Sequence, residues 1–558
     1  MLRSICKTAT QSCSTKYPIA RSSIRIGLVC RPRLVNGCRW SSNVAGSEQG
    51  TPRTSSERSR YLIGFLAATV GSVTTGIFFT ETKASEPRSQ SQNRDAEPVY
   101  ATRAELEKAI QEIRQALGED GISTDNDDLK DHGYSEWSSI NIDRLPTAVA
   151  YPKCTEEVAK IASICHKYKV PMIPYSGGSS VEGHLSASFG GVSIDFLNMK
   201  NIVAFHPEDM DIVVQPSVSW MDMNEKIQDS GLFFPAKIGG MIATNCSGTN
   251  AVRYGTMKDW VVNLTVVLSD GRIIKTRRRP RKSSAGYNLN GLFTGSEGTL
   301  GFITEATLKL AHIPEETGVA VTTFPTMRAA AKAATQVIHQ GIPVGAVELL
   351  DNVQMGVINK MGGTGREWKK LPTLFFKFSG TKVGVDDNIQ AVRRIVDQNG
   401  GSDFEFEQDK AKQATLWSAR KEALWSMLCM RKSGNEVWST DVAVPLSRVP
   451  DLVDISKRDL DDLGLFGSML GHIGDGNFHE TILFDGERER EKVSKAVHDM
   501  VHRALEMEGT CTGEHGIGLG KKEFLVEEVG ENTLDIMKAI KASLDPHWLM
   551  NPGKVFDR

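Results

Sequence analysis

The chain has 558 residues, 40% of them hydrophobic, and a formal net charge of −2 at pH 7. That length predicts more than one domain, the composition can bury substantial cores, and the near-neutral charge argues against a nucleic-acid partner. Nine cysteines are scattered without metal or redox spacing, so free thiols are expected.

The charge is unevenly spread. Eight basic residues (Arg3, Lys7, Lys16, Arg21, Arg25, Arg31, Arg33 and Arg39) precede the first acidic one, Glu48, in a Ser-rich stretch. This predicts a mitochondrial presequence over residues 1–47. Residues 61–80, YLIGFLAATVGSVTTGIFFT, carry no charge, and at helical rise they span about 30 Å, the thickness of a hydrocarbon core. Arg53, Arg58 and Arg60 precede this stretch and Glu81 follows it. A single transmembrane anchor with its N-terminal side in the matrix satisfies the positive-inside rule, leaving the bulk of the chain in the intermembrane space. Residues 81–99 read as a linker.

Order is predicted from Thr102, which forms a capping box with Glu105. Leu106, Ile110, Ile113 and Leu117 then recur at helical spacing, and Gly118 supplies a stop. From residue 146 the pattern alternates: PTAVAYP as a strand, TEEVAKIASICHKYK as a helix capped by Thr155, and VPMIPY as a strand running into the loop SGGSSVEGH. Three short strands (GGVSIDF, NIVAFH, DIVVQPSVSW), a helix from Met221 to Asp229 and a hairpin turning at Asp270–Gly271 follow. Beyond 320 the chain again alternates helices (MRAAAKAATQVIHQ, VDDNIQAVRRIV) with strands (TLFFKFSG, VWSTDVAVP and residues 467–484). The class is α+β. The basic run KTRRRPRK, residues 275–282, reads as a solvated loop or a contact to anionic lipid.

Four glycine-rich stretches fall in the first part: SGGSSVEGH (176–184), IGGMIATNCSGTNAVRYG (238–255), GYNLNGL (286–292) and GSEGTLGFIT (295–304). Glycines admit a ligand close to the backbone, and successive N–H groups with hydroxyls suit phosphate oxygens. Neither the P-loop pattern nor G-x-G-x-x-G after a strand is present. Several such loops together point to a large phosphate-bearing cofactor. In the second part, GHIGDGNFHETILF (471–484) sets His472 and His479 on either side of a tight turn, and CTGEHGIGLGKK (511–522) carries Glu514 and His515. Two His and one Glu make a three-ligand set for Zn or Mn with an open position, leaving His515 free as a base. The plainer alternative is a hairpin with exposed histidines. Arg420, in LWSARKEALW, is either a snorkelling surface residue or a bidentate clamp for a carboxylate.

The stretches SGGSSVEGH, IGGMIATNCSGTNAVRYGTM, LFTGSEGTLGFITEATL, LWSAR, GHIGDGNFH, CTGEHGIG and DPHWLMNPGK occur in the order seen in FAD-linked D-2-hydroxy-acid dehydrogenases. Over residues 100–556 the chain resembles this family, which belongs to the vanillyl-alcohol oxidase superfamily. The resemblance implies a two-subdomain FAD-binding domain at 100–320 and a ferredoxin-like substrate or cap domain at 321–540, with a C-terminal segment at 541–558 returning to the flavin. Ser176, Gly177, Gly178, Ser179, Ser180, Gly183 and His184 would cradle the pyrophosphate of FAD. Gly239, Gly240, Thr244, Gly248, Asn250, Arg253, Tyr254 and Gly255, with Glu297, Gly298, Gly301, Ile303 and Asn551, would line the rest. His472, His479 and Glu514 become metal ligands, His515 the base, Arg420 the carboxylate anchor and Asn477 an active-site contact. Some superfamily members attach flavin through a histidine of the first loop, here His184, but this branch binds FAD without a bond. Relatives carry an Asp-Pro-Gly-type segment that FFPAKIGGM lacks between Pro235 and Ile238, which shortens the flavin wall.

With the presequence and anchor, the implied reaction is oxidation of D-lactate at the inner mitochondrial membrane, with cytochrome c as electron acceptor. D-2-hydroxyglutarate or glycolate as substrate, a flavin-deficient anchored variant, and a metallohydrolase using only the His/Glu cluster are the alternatives.

Overall fold

The structure, a computed structural model, describes residues 98–235, 240–432 and 434–558. The expected presequence, the anchor at 61–80, most of the linker and Gly239 lie outside the described residues. Among the described residues no helix is long and apolar enough to cross a membrane.

Helix Arg103–Leu117 starts as expected, with Thr102 and Glu105 in a reciprocal capping box, and buries Ala109, Ile110 and Ile113. It packs on helix Thr155–Tyr168, whose cap differs from expectation. Cys154 holds the cap position, and Thr155 is already helical. The Thr155 hydroxyl instead donates to Thr304 Oγ1 at 3.0 Å, tying the helix to a neighbouring strand. This helix is the crossover between strands Ala148–Ala150 and Met172–Tyr175, which flank Val192–Asp195 in parallel, with Ile122–Ser123 at the far edge.

A second sheet orders Ile202–His206, Asp211–Val214, Phe302–Lys309, Val261–Val267 and Ile273–Lys275, all antiparallel. Its hairpin turns at Asp270–Gly271 as predicted, with Gly271 at φ +89°. The predicted strand DIVVQPSVSW stops at Val214. Pro216 cannot donate to a ladder, and Ser219 caps the helix Trp220–Ile227 that follows.

The chain changes sheets before Glu316. In the large antiparallel sheet, strands Glu316–Thr323, Val344–Leu350, Thr373–Gly380 and Ser402–Glu407 take the order 4-1-3-2 of a ferredoxin-like fold. Phe466–Gly471, Asn477–Asp485 and Asn435–Ser439 extend it beyond Val344–Leu350. VWSTDVAVP is two strands, Asn435–Ser439 and Val442–Ala443, interrupted at Thr440 and Asp441. The last residues return to the first sheet: Leu549 accepts from Met172 N and Asn551 N donates to the Met172 carbonyl. Buried Lys541 secures the return by donating to Thr299 O, Met550 O and Asp545.

Gly476 closes the 473–475 turn at φ +78°, where a Cβ would run into the Val444 carbonyl. Gly476→Ala is expected to cost about 1–3 kcal/mol in urea denaturation, from left-handed strain and this clash.

Candidate active site

His472 ends strand Phe466–Gly471 and His479 lies on the returning strand, joined by the turn Ile473–Asp475. Both are buried, at 5% and 6% exposure, which excludes the exposed-hairpin alternative. His472 Nδ1 lies 2.8 Å from Glu348 Oε1 and its Nε2 lies 2.9 Å from Glu514 Oε1. His479 Nδ1 donates to the Thr440 carbonyl at 3.1 Å, which turns Nε2 to within 3.5 Å of the same Glu514 oxygen. The break in VWSTDVAVP thus has a use: it points a carbonyl at a histidine. The other Glu514 oxygen accepts from Gly248 N at 2.7 Å, Ser247 Oγ at 3.0 Å and Ser247 N at 3.2 Å. One carboxylate therefore joins the glycine-rich NCSGTN loop to the large sheet.

Burial alone would raise the Glu514 carboxyl, but His472 beside it holds it well below the usual carboxylate range. Burial likewise opposes ionisation of Glu348, which His472 and Arg420 hold down. Burial pushes the His479 imidazole down, so neutral His479 turns a lone pair towards Glu514. Two acceptors facing each other are what a shared cation requires.

Asp441 is the second hub. Its Oδ2 accepts from Thr512 Oγ1, Glu514 N and His515 N, each at 2.8 Å, and its Oδ1 from Asn477 Nδ2 at 2.7 Å. Asp441, His479 and His515 also converge closely enough for a metal, as do His472, His479 and Glu514. The second set is the better one. Asp441 is already saturated by N–H and O–H donors, and the His479 nitrogen facing it is committed to Thr440. His472, His479 and Glu514 instead turn donor atoms to one point, each supported from behind. The charges agree. The carboxylates of Glu514, Glu348, Asp441 and Glu182 face two permanent cations, Arg420 and Lys521, leaving the charge that one divalent ion balances. Lys377 and Asp475 near Glu348 offset each other.

His515 stacks on His479 with centroids 5.0 Å apart and planes 13° from parallel. Its Nδ1 is buried without a hydrogen-bond partner, 3.8 Å from Glu182 Oε1. Arg420, on helix Lys410–Leu428, is no surface residue: its side chain is 12% exposed and Nε donates to Glu348 Oε2 at 2.7 Å. Asn477 spends Nδ2 on Asp441 and the Val442 carbonyl, leaving Oδ1 buried and unpartnered.

The glycine-rich residues divide into two groups. Gly240 and Gly248 face open space and Gly177 nearly so, and a Cβ at any of them would meet no close neighbour. Gly178, Gly183, Gly255, Gly298 and Gly301 are required by packing, since a Cβ would meet Tyr175, Ile140, Asp259, Pro174 and Val266 respectively. Ser179 is exposed, while Ser176 pairs with Ser217. Thr244 bonds back to Gly240 within its own short helix. Asn250 holds the Pro235 carbonyl and Arg253 reaches the Pro343 carbonyl. Tyr254 packs on Phe233 and Trp260, and Ile303 is half-buried in its strand. Both ring nitrogens of His184 are engaged, Nδ1 by Ser180 Oγ at 2.5 Å and Nε2 by Glu297 Oε2 at 2.6 Å. Glu297, at φ +52°, also accepts from Ile517 N and Gly518 N, and its carbonyl accepts from Asn551 Nδ2. Glu182, Glu348, Asp441 and Lys521 belong to the site and were missed in the sequence.

Residues 146–277 match the FAD binding domain model, and residues 313–555 match the model for FAD linked oxidases, C-terminal domain. D-lactate dehydrogenase (cytochrome), mitochondrial, of Arabidopsis thaliana is 46% identical over 454 residues, covering 80% of this chain and 79% of that protein. The chain belongs to the FAD-linked oxidase family. A Kluyveromyces lactis protein named likewise is 43% identical over 512 residues, covering 88% of each chain. Glycolate oxidase subunit GlcD of Bacillus subtilis is 31% identical over 433 residues, 76% of this chain and 92% of that one. Among solved structures, 4-ethylphenol oxidase from Gulosibacter chungangensis shares the family fold with TM-score 0.69 at 19% identity, over 83% of this chain and 99% of that one.

Burial opposes protonation of His472, but Glu348 and Glu514 on either side raise its imidazole to about 10. This exceeds the unfolded value of about 6.5, so in the metal-free chain its contribution is full below that pH and is lost as pH rises towards the folded value. A cation must displace this proton. Apparent affinity for Mn²⁺ or Zn²⁺ is therefore expected to rise with pH across this window, by up to about tenfold per unit. Calorimetric titration in buffers of different ionisation enthalpy would count the released proton.

Proposed function

We propose that this chain is a mitochondrial FAD-dependent D-lactate dehydrogenase that forms pyruvate and passes its electrons to cytochrome c. The observation that carries the reading is the meeting of His472, His479 and Glu514 against the NCSGTN loop, with Arg420 set beside them by Glu348. The names of the 46% and 43% identical relatives support D-lactate and the cytochrome acceptor over glycolate, which is named for relatives at 31% identity and below.

Residues 100–320 would hold FAD beside the uncrowded Gly177, Gly240 and Gly248, residues 321–540 would form the substrate side, and 541–558 would return to the flavin. His184 has no free nitrogen for a flavin bond, which supports non-covalent FAD. When bound, FAD supplies a hydride acceptor, and a divalent ion at His472, His479 and Glu514 supplies Lewis-acid polarisation of the 2-hydroxyl. Arg420, its Nε committed to Glu348, presents its remaining N–H groups to the substrate carboxylate. His515 takes the hydroxyl proton, because its ring is stacked beside the ligand His479 with Nδ1 free of a hydrogen bond. Asp441 holds His515 and Glu514 in place through their backbone N–H groups. The presequence at 1–47 and the anchor at 61–80 would place this site in the intermembrane space, at the inner membrane.

The test is anaerobic addition of D-lactate to purified protein, followed by flavin absorbance. Bleaching that a chelator abolishes and Mn²⁺ or Zn²⁺ restores is expected. His515→Ala is expected to slow it by about 10²–10⁴-fold. Absence of flavin, or faster bleaching by D-2-hydroxyglutarate or glycolate, would overturn the substrate reading.

A further inference from the structure

Glu348 stands in the middle of strand Val344–Leu350, 1% exposed, between Val347 and Leu349. A carboxylate in such a place is costly unless each oxygen is paired. Both are. Oε1 lies 2.8 Å from His472 Nδ1, and Oε2 accepts from Arg420 Nε at 2.7 Å. These partners arrive from different elements, the Phe466–Gly471 strand end and helix Lys410–Leu428.

The two partners serve two tasks in the function proposed above: His472 as a metal ligand and Arg420 as the anchor of the substrate carboxylate. We propose that Glu348 is a positioning residue that couples metal binding to carboxylate binding, one oxygen orienting each group. This rests on that reading of the site. Holding Nδ1 fixes the ring so that Nε2 faces Glu514, as carboxylate partners of metal-bound histidines do. Holding Nε sets the plane of the guanidinium and leaves its terminal nitrogens for a ligand.

The chemistry requires a carboxylate. Two N–H donors converge on Glu348 and need two acceptors. Glutamine has the same shape but offers one acceptor and one NH₂, so it satisfies one donor and opposes the other. Aspartate keeps both acceptors on a side chain one methylene shorter, so both contacts are lengthened and weakened. A Glu348 defect should therefore appear at the metal and at the substrate together, although Glu348 touches neither.

The test compares wild type, Glu348→Gln, Glu348→Asp and Val347→Ala as purified flavoproteins. Val347→Ala controls for loss of core packing in the same strand. Affinity for Mn²⁺ and Zn²⁺ is measured by competition with a chromophoric chelator in the absence of substrate. KM and kcat for D-lactate are then measured at saturating metal. Glu348→Gln is expected to lose about 10–100-fold in metal affinity and, with metal restored, to keep a raised KM. Glu348→Asp is expected to show a smaller loss in both, so the coupling can be read even if the glutamine variant fails to fold. Val347→Ala is expected to lower thermal stability and leave both constants as in wild type. Metal affinity and KM unchanged in Glu348→Asp, or loss of stability alone, would overturn the coupling. A wild-type protein that binds neither ion would overturn the metal reading itself, and the coupling with it.

Discussion

The structure depends on what happens to one buried carboxylate. Glu514 sits where a sheet-derived pair of imidazoles meets a glycine-rich loop, and it satisfies the two sides with separate oxygens. An ionised carboxylate out of water needs several donors. The NCSGTN loop supplies them as backbone N–H groups and a hydroxyl, which draws that loop against the large sheet. The remaining oxygen lies 2.9 Å from His472 Nε2 and 3.5 Å from His479 Nε2. Burial there is tolerated because His472 beside it offsets the cost of taking the carboxylate out of water.

Around this point the polar groups are ordered by what each can donate or accept. The Thr440 carbonyl fixes the tautomer of His479, Glu348 the ring of His472, and Asp441 the backbone of the GEH segment. Lys521 lies 3.3 Å from Glu182 of the first glycine loop and donates to the Asp441 carbonyl, bridging loop and large sheet beneath His515. Removing any one of these leaves a buried group unpaired, so the network is rigid where chemistry needs fixed positions. The C-terminal return adds a second tie, from Met550 and Asn551 onto the strand that feeds the first glycine loop.

Much of this was legible in the sequence. The helix from Thr102, the hairpin at Asp270–Gly271, the α+β alternation and the histidine turn all follow from local pattern and turn chemistry. So does the grouping of His472, His479 and Glu514, because a glycine-flanked Glu-His and a His-turn-His are rare enough to stand out. Glu348 and Asp441 do not stand out in the same way. The strand Val344–Leu350, VGAVELL, is otherwise apolar, and its single acid carries no periodic signal. VWSTDVAVP reads as one strand because the break at Thr440 and Asp441 is imposed by partners far along the chain. The glycines carry a second constraint that the sequence does not show. Gly298 and Gly301 look like ligand-loop residues, yet Pro174 and Val266 already occupy the space a side chain would need. Long-range packing decides such cases.

The account stands on the claim that Glu514 and the two histidines bind one metal ion. X-ray absorption at the edge of bound Mn or Zn measures that shell directly. The account predicts two imidazole nitrogens and a carboxylate oxygen, with one imidazole lost in His479→Ala. A shell of oxygens alone, or an imidazole count unchanged by that substitution, would contradict it.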